Sequence, residues 1–115
     1  MKNFLLLFRS ADYNVAPTAT AEEMQAMLKR WMDWVGSIAA QNKLVDRGNR
    51  LVRETGKVVR PNKVVTDGPF VEIKESLGGY TLIKAGSMDE AVEIAKECPV
   101  LSIGGNVEVR EINPL

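Results

Sequence analysis

Two helix starts fix the frame of this chain. Thr20 is followed three residues later by Glu23, and Ser87 by Glu90, a spacing that lets side chains cap the first turn of a helix. Behind Thr20, Met24, Met27, Leu28, Trp31, Val35 and Ile38 recur at helical spacing and predict one apolar face, with Met32 and Trp34 off its centre. Trp34 beside the stripe suggests that this helix meets something besides its own sheet. The helix is expected to end near Asn42. Behind Ser87, Ala91, Ile94, Ala95 and Cys98 form a second stripe, which Pro99 stops.

The segments around these helices read as strands. "NFLLLF" (3–8) is a short apolar run suited to a covered central strand. "KLVDRGNRLV" (43–52) is a second strand, bulged or turned at Gly48. "ETGK" (54–57) reads as a hairpin turn, and "VVRPNKVVT" (58–66) as a strand interrupted at Pro61, which cannot donate to a ladder. "YTLIKA" (80–85) puts Thr81 and Ile83 on one face and Tyr80 and Leu82 on the other; "VEVREI" (107–112) is the last strand. The order β-α-β-β-α-β, with an extra hairpin around residue 56, is the ferredoxin-like α+β arrangement in one domain over residues 1–115.

That order has a consequence. Two helices cover one face of the antiparallel sheet and leave the other bare, and a bare apolar face needs a partner. A homodimer with two sheets face to face is the expected solution. Charge is segregated as well: Lys43 to Lys63 carries seven bases against two acids, and Asp67 to Glu97 seven acids against three bases. Such patches can complement each other across an interface, or simply blunt an edge strand. The zero net charge, and a basic hairpin without interleaved aromatics, argue against nucleic acid. No run approaches the ~20 apolar residues a membrane span needs, and "MKNFLLLFRS" is too short in apolar core for a signal peptide, so a cytoplasmic protein is expected.

The chemistry is bounded by what is missing. There is no histidine, which removes the commonest general base and metal ligand at neutral pH. The single cysteine, Cys98, excludes an intramolecular disulfide and thiolate-rich zinc sites, so neither a metal nor a cofactor is expected. Ionisable groups and glycines concentrate instead in "VVTDGPFVEIKESLGGYTLIKAG" (64–86). Asp67, Gly68, Pro69 and Phe70 make either a sharp structural turn or a cavity mouth where a desolvated Asp67 could take a proton or bind a ligand. Glu72, Lys74 and Glu75 are either a solvated turn or a polar ligand site. Gly78 and Gly79 either join loop to strand at positive φ or open backbone N–H groups to an anion. Tyr80 is either packing or a pocket wall.

The run "TDGPF", then "E-x-K-E-x-L-G-G-Y", then "DEA" in the second helix and "VEVRE" near the end, resembles the DGPF branch of the YCII-related family over essentially the whole chain. The resemblance implies a ferredoxin-like fold assembled as a dimeric α/β barrel. It implies a family of mostly undefined biochemical role, in which some relatives act on aromatic or lactone substrates and a His–Asp pair in a cleft has been proposed. This chain has no histidine, so that pair does not carry over. Residues Asp67, Gly68, Pro69, Phe70, Glu72, Lys74, Glu75, Leu77, Gly78, Gly79 and Tyr80 match the branch motif. An association of DGPF-like proteins with sigma-factor systems is also implied.

Two functions follow as expectations. The first is binding of, or action on, a small polar metabolite in a cleft near the DGPF loop. Asp67 would be the candidate catalytic base, and Gly68, Pro69, Phe70, Glu72, Lys74, Glu75, Gly78, Gly79 and Tyr80 the ligand-binding residues. The second is a non-catalytic dimeric regulatory or interaction module.

Overall fold

A computed structural model describes residues 1–9, 20–52, 55–67 and 77–115. Strand β1 (Lys2–Arg9) lies between β5 (Leu77–Ala85) and β6 (Asn106–Glu111), and β2 (Leu44–Asp46) pairs with the outer side of β5, giving an antiparallel sheet of order β2-β5-β1-β6. Helices α1 (Ala21–Ala40) and α2 (Met88–Ala95) complete the ferredoxin-like arrangement. Strands β3 (Lys57–Arg60) and β4 (Val64–Asp67) form a separate ribbon between β2 and β5 in the chain.

Both helix starts form as capped ends. Thr20 Oγ1 accepts from the Glu23 N–H at 3.1 Å, and Ser87 Oγ from the Glu90 N–H at 3.1 Å. The Glu90 carboxylate accepts from the Gly86 N–H at 3.2 Å, one residue before the cap. α1 closes with Asn42 in the left-handed region, φ 59°, while Asn42 N–H donates to Ala39 O (2.9 Å) and Lys43 N–H to Ile38 O (3.1 Å). These are the two bonds of a Schellman closure, with asparagine at the left-handed position.

The core lies on one side of the sheet. Phe4, Leu6 and Phe8 alternate inward along β1, opposite Ile83, Thr81 and Gly79 of β5. Trp34 and Ile38 of α1, Ala91 and Ala95 of α2, and Cys98 and Val100 close over them. Trp31, Trp34 and Phe8 meet edge-on, with centroids 4.9 to 5.9 Å apart, and such contacts add about 0.5–1.5 kcal/mol each beyond burial. Trp34 Nε1 donates to Ile94 O at 3.1 Å, tying α1 to the end of α2.

Two expectations are corrected here. Trp34 is core, whereas Met24 and Leu28, placed on the apolar face by spacing, are exposed. Among the described residues the core takes α1 from Trp31 onward, with Trp34 and Ile38 buried and Trp31 and Val35 partly so. The ribbon turns at Pro61–Lys63 rather than at Gly56: Arg60 pairs with Val64, and Asn62 and Lys63 take φ 67° and 62°. Gly56 does not adopt positive φ.

The opposite face of the sheet carries Leu5, Leu7, Tyr80 and Leu82, all half-buried, in the register Leu5↔Leu82 and Leu7↔Tyr80. Among the described residues no helix packs on it. The ribbon also stands apart, and the radius of gyration, 15.6 Å, exceeds the about 13 Å of a compact chain this long. No described helix is long and apolar enough to cross a membrane.

Candidate functional site

The ribbon and the sheet are two parts of one long hairpin. Leu44 pairs with Ile83 and Asp46 with Leu82, Arg50 bridges Gly79, and farther out Lys57 pairs with Asp67. Between the last two pairings one strand spends residues 51–56 and the other residues 68–78. The second stretch is the longer in sequence and holds the DGPF segment beyond Asp67. Strand β5 begins at Leu77, which pairs with Arg9 at the end of β1.

Asp67 is the last residue of β4. Its side chain is 92% exposed and ion-paired with Lys57 Nζ at 2.5 Å. In the single chain the carboxylate thus lies in solvent and closes the open end of the ribbon. Gly68, Pro69, Phe70, Glu72, Lys74 and Glu75 lie outside the described residues.

Gly78 and Gly79 are buried strand residues, and neither takes positive φ. Gly78 O accepts from the Leu51 N–H (2.9 Å) and the Tyr80 N–H donates to Asn49 O (3.2 Å), so strand pairing to residues 49–51 brackets the two glycines. A Cβ on Gly79 would come within 2.9 Å of Asn49 O. The reciprocal constraint is sharper: Gly48 sits at φ 71°, and a Cβ there would fall 1.7 Å from Tyr80 O. Its N–H donates to Asp46 Oδ1 at 2.7 Å, which folds the 46–49 turn against β5, and buried Thr81 donates to Arg47 O at 2.9 Å. Gly48 and Gly79 are there because two backbones touch.

Tyr80 is the motif residue that reaches the open face. Its hydroxyl accepts from Asn49 Nδ2 at 3.3 Å. Across the sheet Leu7 separates it from Glu108, giving the row Tyr80, Leu7, Glu108 on β5, β1 and β6. Glu108 accepts from Arg9 Nη1 at 2.7 Å and from Arg110 Nη1 at 3.2 Å. Charge-assisted bonds of this kind hold the carboxylate in place on the open face. Asn49, Arg9, Glu108 and Arg110 were not expected as site residues. The signal was the alternation of "VEVRE", which puts Glu108 and Arg110 opposite the inward Val107 and Val109.

Elsewhere, a wide groove of about 600 Å³ between α1 and the 3-10 segment Pro99–Ile103 is lined in part by Arg30, Asp33, Trp34, Ser37 and Lys96, and by none of the motif residues. Burial pushes the Cys98 thiol up to about 12, so it is inert as a nucleophile. Among the described residues no group of three or more acidic or cysteine side chains is arranged to hold a metal ion.

The model of the YCII-related domain matches residues 4–115. The chain belongs to the YCII-related family. An uncharacterised protein of Rhizobium meliloti (strain 1021) is 36% identical over 84 residues, covering 64% of this chain and 68% of that one. In fold, the chain is similar to 5-chloro-2-hydroxyhydroquinone dehydrochlorinase from Burkholderia phenoliruptrix AC1100, solved in complex with 2,5-dihydroxybenzoquinone, at TM-score 0.50 and 14% identity over 96% of this chain and 93% of that one. At that identity the likeness concerns the fold alone.

Proposed function

We propose that this YCII-related protein binds, or acts on, a small polar metabolite on the open sheet face, at the end where β5 begins. The observation that carries this reading is the row Tyr80, Leu7, Glu108, with Asn49 on the tyrosine hydroxyl and Arg9 and Arg110 on the carboxylate, beside the Leu77↔Arg9 pair at the start of β5. An apolar floor with hydrogen-bonding groups at both ends suits a small oxygen-bearing molecule. A second copy of the chain packed face to face, giving a dimeric α/β barrel, would roof this row and exclude water from it. Asp67, at the start of the DGPF segment, is the candidate base, and Gly68, Pro69, Phe70, Glu72, Lys74 and Glu75 are the candidate ligand contacts from the segment itself. The fold neighbour's complex with a dihydroxybenzoquinone makes hydroxylated rings a natural first class of probe.

The reading is tested by thermal shift against a panel of hydroxylated aromatics, lactones and small carboxylates. A ligand at a hundred times its Kd stabilises by about 2.7 kcal/mol, a rise of several degrees. Tyr80→Phe and Asp67→Asn should each reduce that rise. A panel that shifts nothing, or a shift that both variants leave intact, would count against the site. The second reading, a non-catalytic dimeric regulatory module, draws on the projecting ribbon and its exposed valines; it predicts no ligand shift at all.

A further inference from the structure

Two exposed surfaces far apart in sequence share one chemistry. On the ribbon, Val59 and Val65 face each other across the ladder, 71% and 56% exposed, and the next pair on that face is Lys57–Asp67, itself an exposed ion pair. On α1, Leu28 and Met32 are 59% and 53% exposed, and beside them Lys29 and Asp33 form an exposed ion pair at 2.9 Å. Gln25, Leu28, Lys29, Met32 and Asp33 line a shallow groove of about 360 Å³. Each surface is thus one apolar pair flanked by one Lys–Asp pair.

The spacings agree. Facing strand residues carry Cβ atoms about 5 Å apart, and helix residues four apart about 5–6 Å. The charges are complementary under exchange, with Lys57 meeting Asp33 and Lys29 meeting Asp67. Exposed ion pairs are worth little where they stand, so re-partnering costs little. An isolated two-stranded ribbon is at best marginally stable in water and gains most from such a surface.

We propose that the β3–β4 ribbon of one chain docks by Val59 and Val65 into the Gln25–Asp33 groove of α1 in a second copy of the chain. Two-fold symmetry would make the contact twice. The interface is separate from the open sheet face and goes beyond the reading above.

Mixed cross-linking tests it. A chain carrying Val59→Cys is combined with one carrying Met32→Cys under a mild disulfide oxidant, with Val65→Cys and Leu28→Cys as a second pair. The four positions are exposed, and buried Cys98 stays silent. If the surfaces meet, each mixture should form the covalent heterodimer on the order of tenfold or more above either variant alone, through the raised effective concentration of paired thiols. Folded chains that give no heterodimer from either mixture overturn the proposal. A two-chain particle without the cross-link would sink this interface and leave the open-face dimer standing; a cross-link that survives Leu7→Glu would separate the two the other way.

Discussion

At the residue scale, Gly48 and Gly79 are explained by backbone contact. Gly48, in the left-handed region and directly against the Tyr80 carbonyl, is the position where a methyl group does most harm. Gly48→Ala combines left-handed strain of about 1–2 kcal/mol with a clash that only a backbone shift relieves, so a loss of about 2–4 kcal/mol is expected. Gly56→Ala, with nothing within 4 Å and no positive φ, is the control and should change stability little. Urea denaturation of both variants checks the contrast; equal stability would mean that the 46–49 turn does not lie against β5. "GNR" and "LGGY" each flagged special backbone in the sequence, but only the structure shows that the two motifs flag the same contact. Trp34 was misread for a related reason. Periodicity assigns a face to a whole helix, and among the described residues this helix meets the core over part of its length only.

At the element scale, both helix caps, the α1 end at Asn42 and the alternation of β5 and β6 are legible because each depends on residues close in sequence. The ribbon turn was not. Pro61 looked like an interruption and Gly56 like a turn, yet Asn62 and Lys63 supply the left-handed pair. One electrostatic contact joins elements. Lys43, just past α1, pairs with Glu90 in the first turn of α2 at 2.6 Å, and that bond, with the Gly86 N–H, holds the Glu90 carboxyl below its ordinary value. A carboxyl depressed in the folded state contributes stability above its unfolded pKa, near 4.3, and that contribution is lost as pH falls through the folded value. Glu90→Gln should therefore lower the melting temperature at pH 7 and flatten its decline below about pH 4.5. Parallel acid-side curves for the variant and the parent would show that the pair is not formed in solution.

At the scale of the whole molecule, the topology was readable from element order, but the site was only partly so. The motif pointed to residues 67–80, and the structure adds a row on the open face whose members come from β1, β6 and the 46–49 turn. A sequence shows such a row only once the register is known. In the proposed site that face is covered by a second copy. The most direct test is sedimentation equilibrium of the parent chain and of Leu7→Glu, which puts a charge at the centre of the face. A parent of at least twice 12.7 kDa, losing mass in the variant with its circular dichroism unchanged, is the predicted result. A parent that sediments as one chain, or a two-chain particle indifferent to glutamate at position 7, would contradict it.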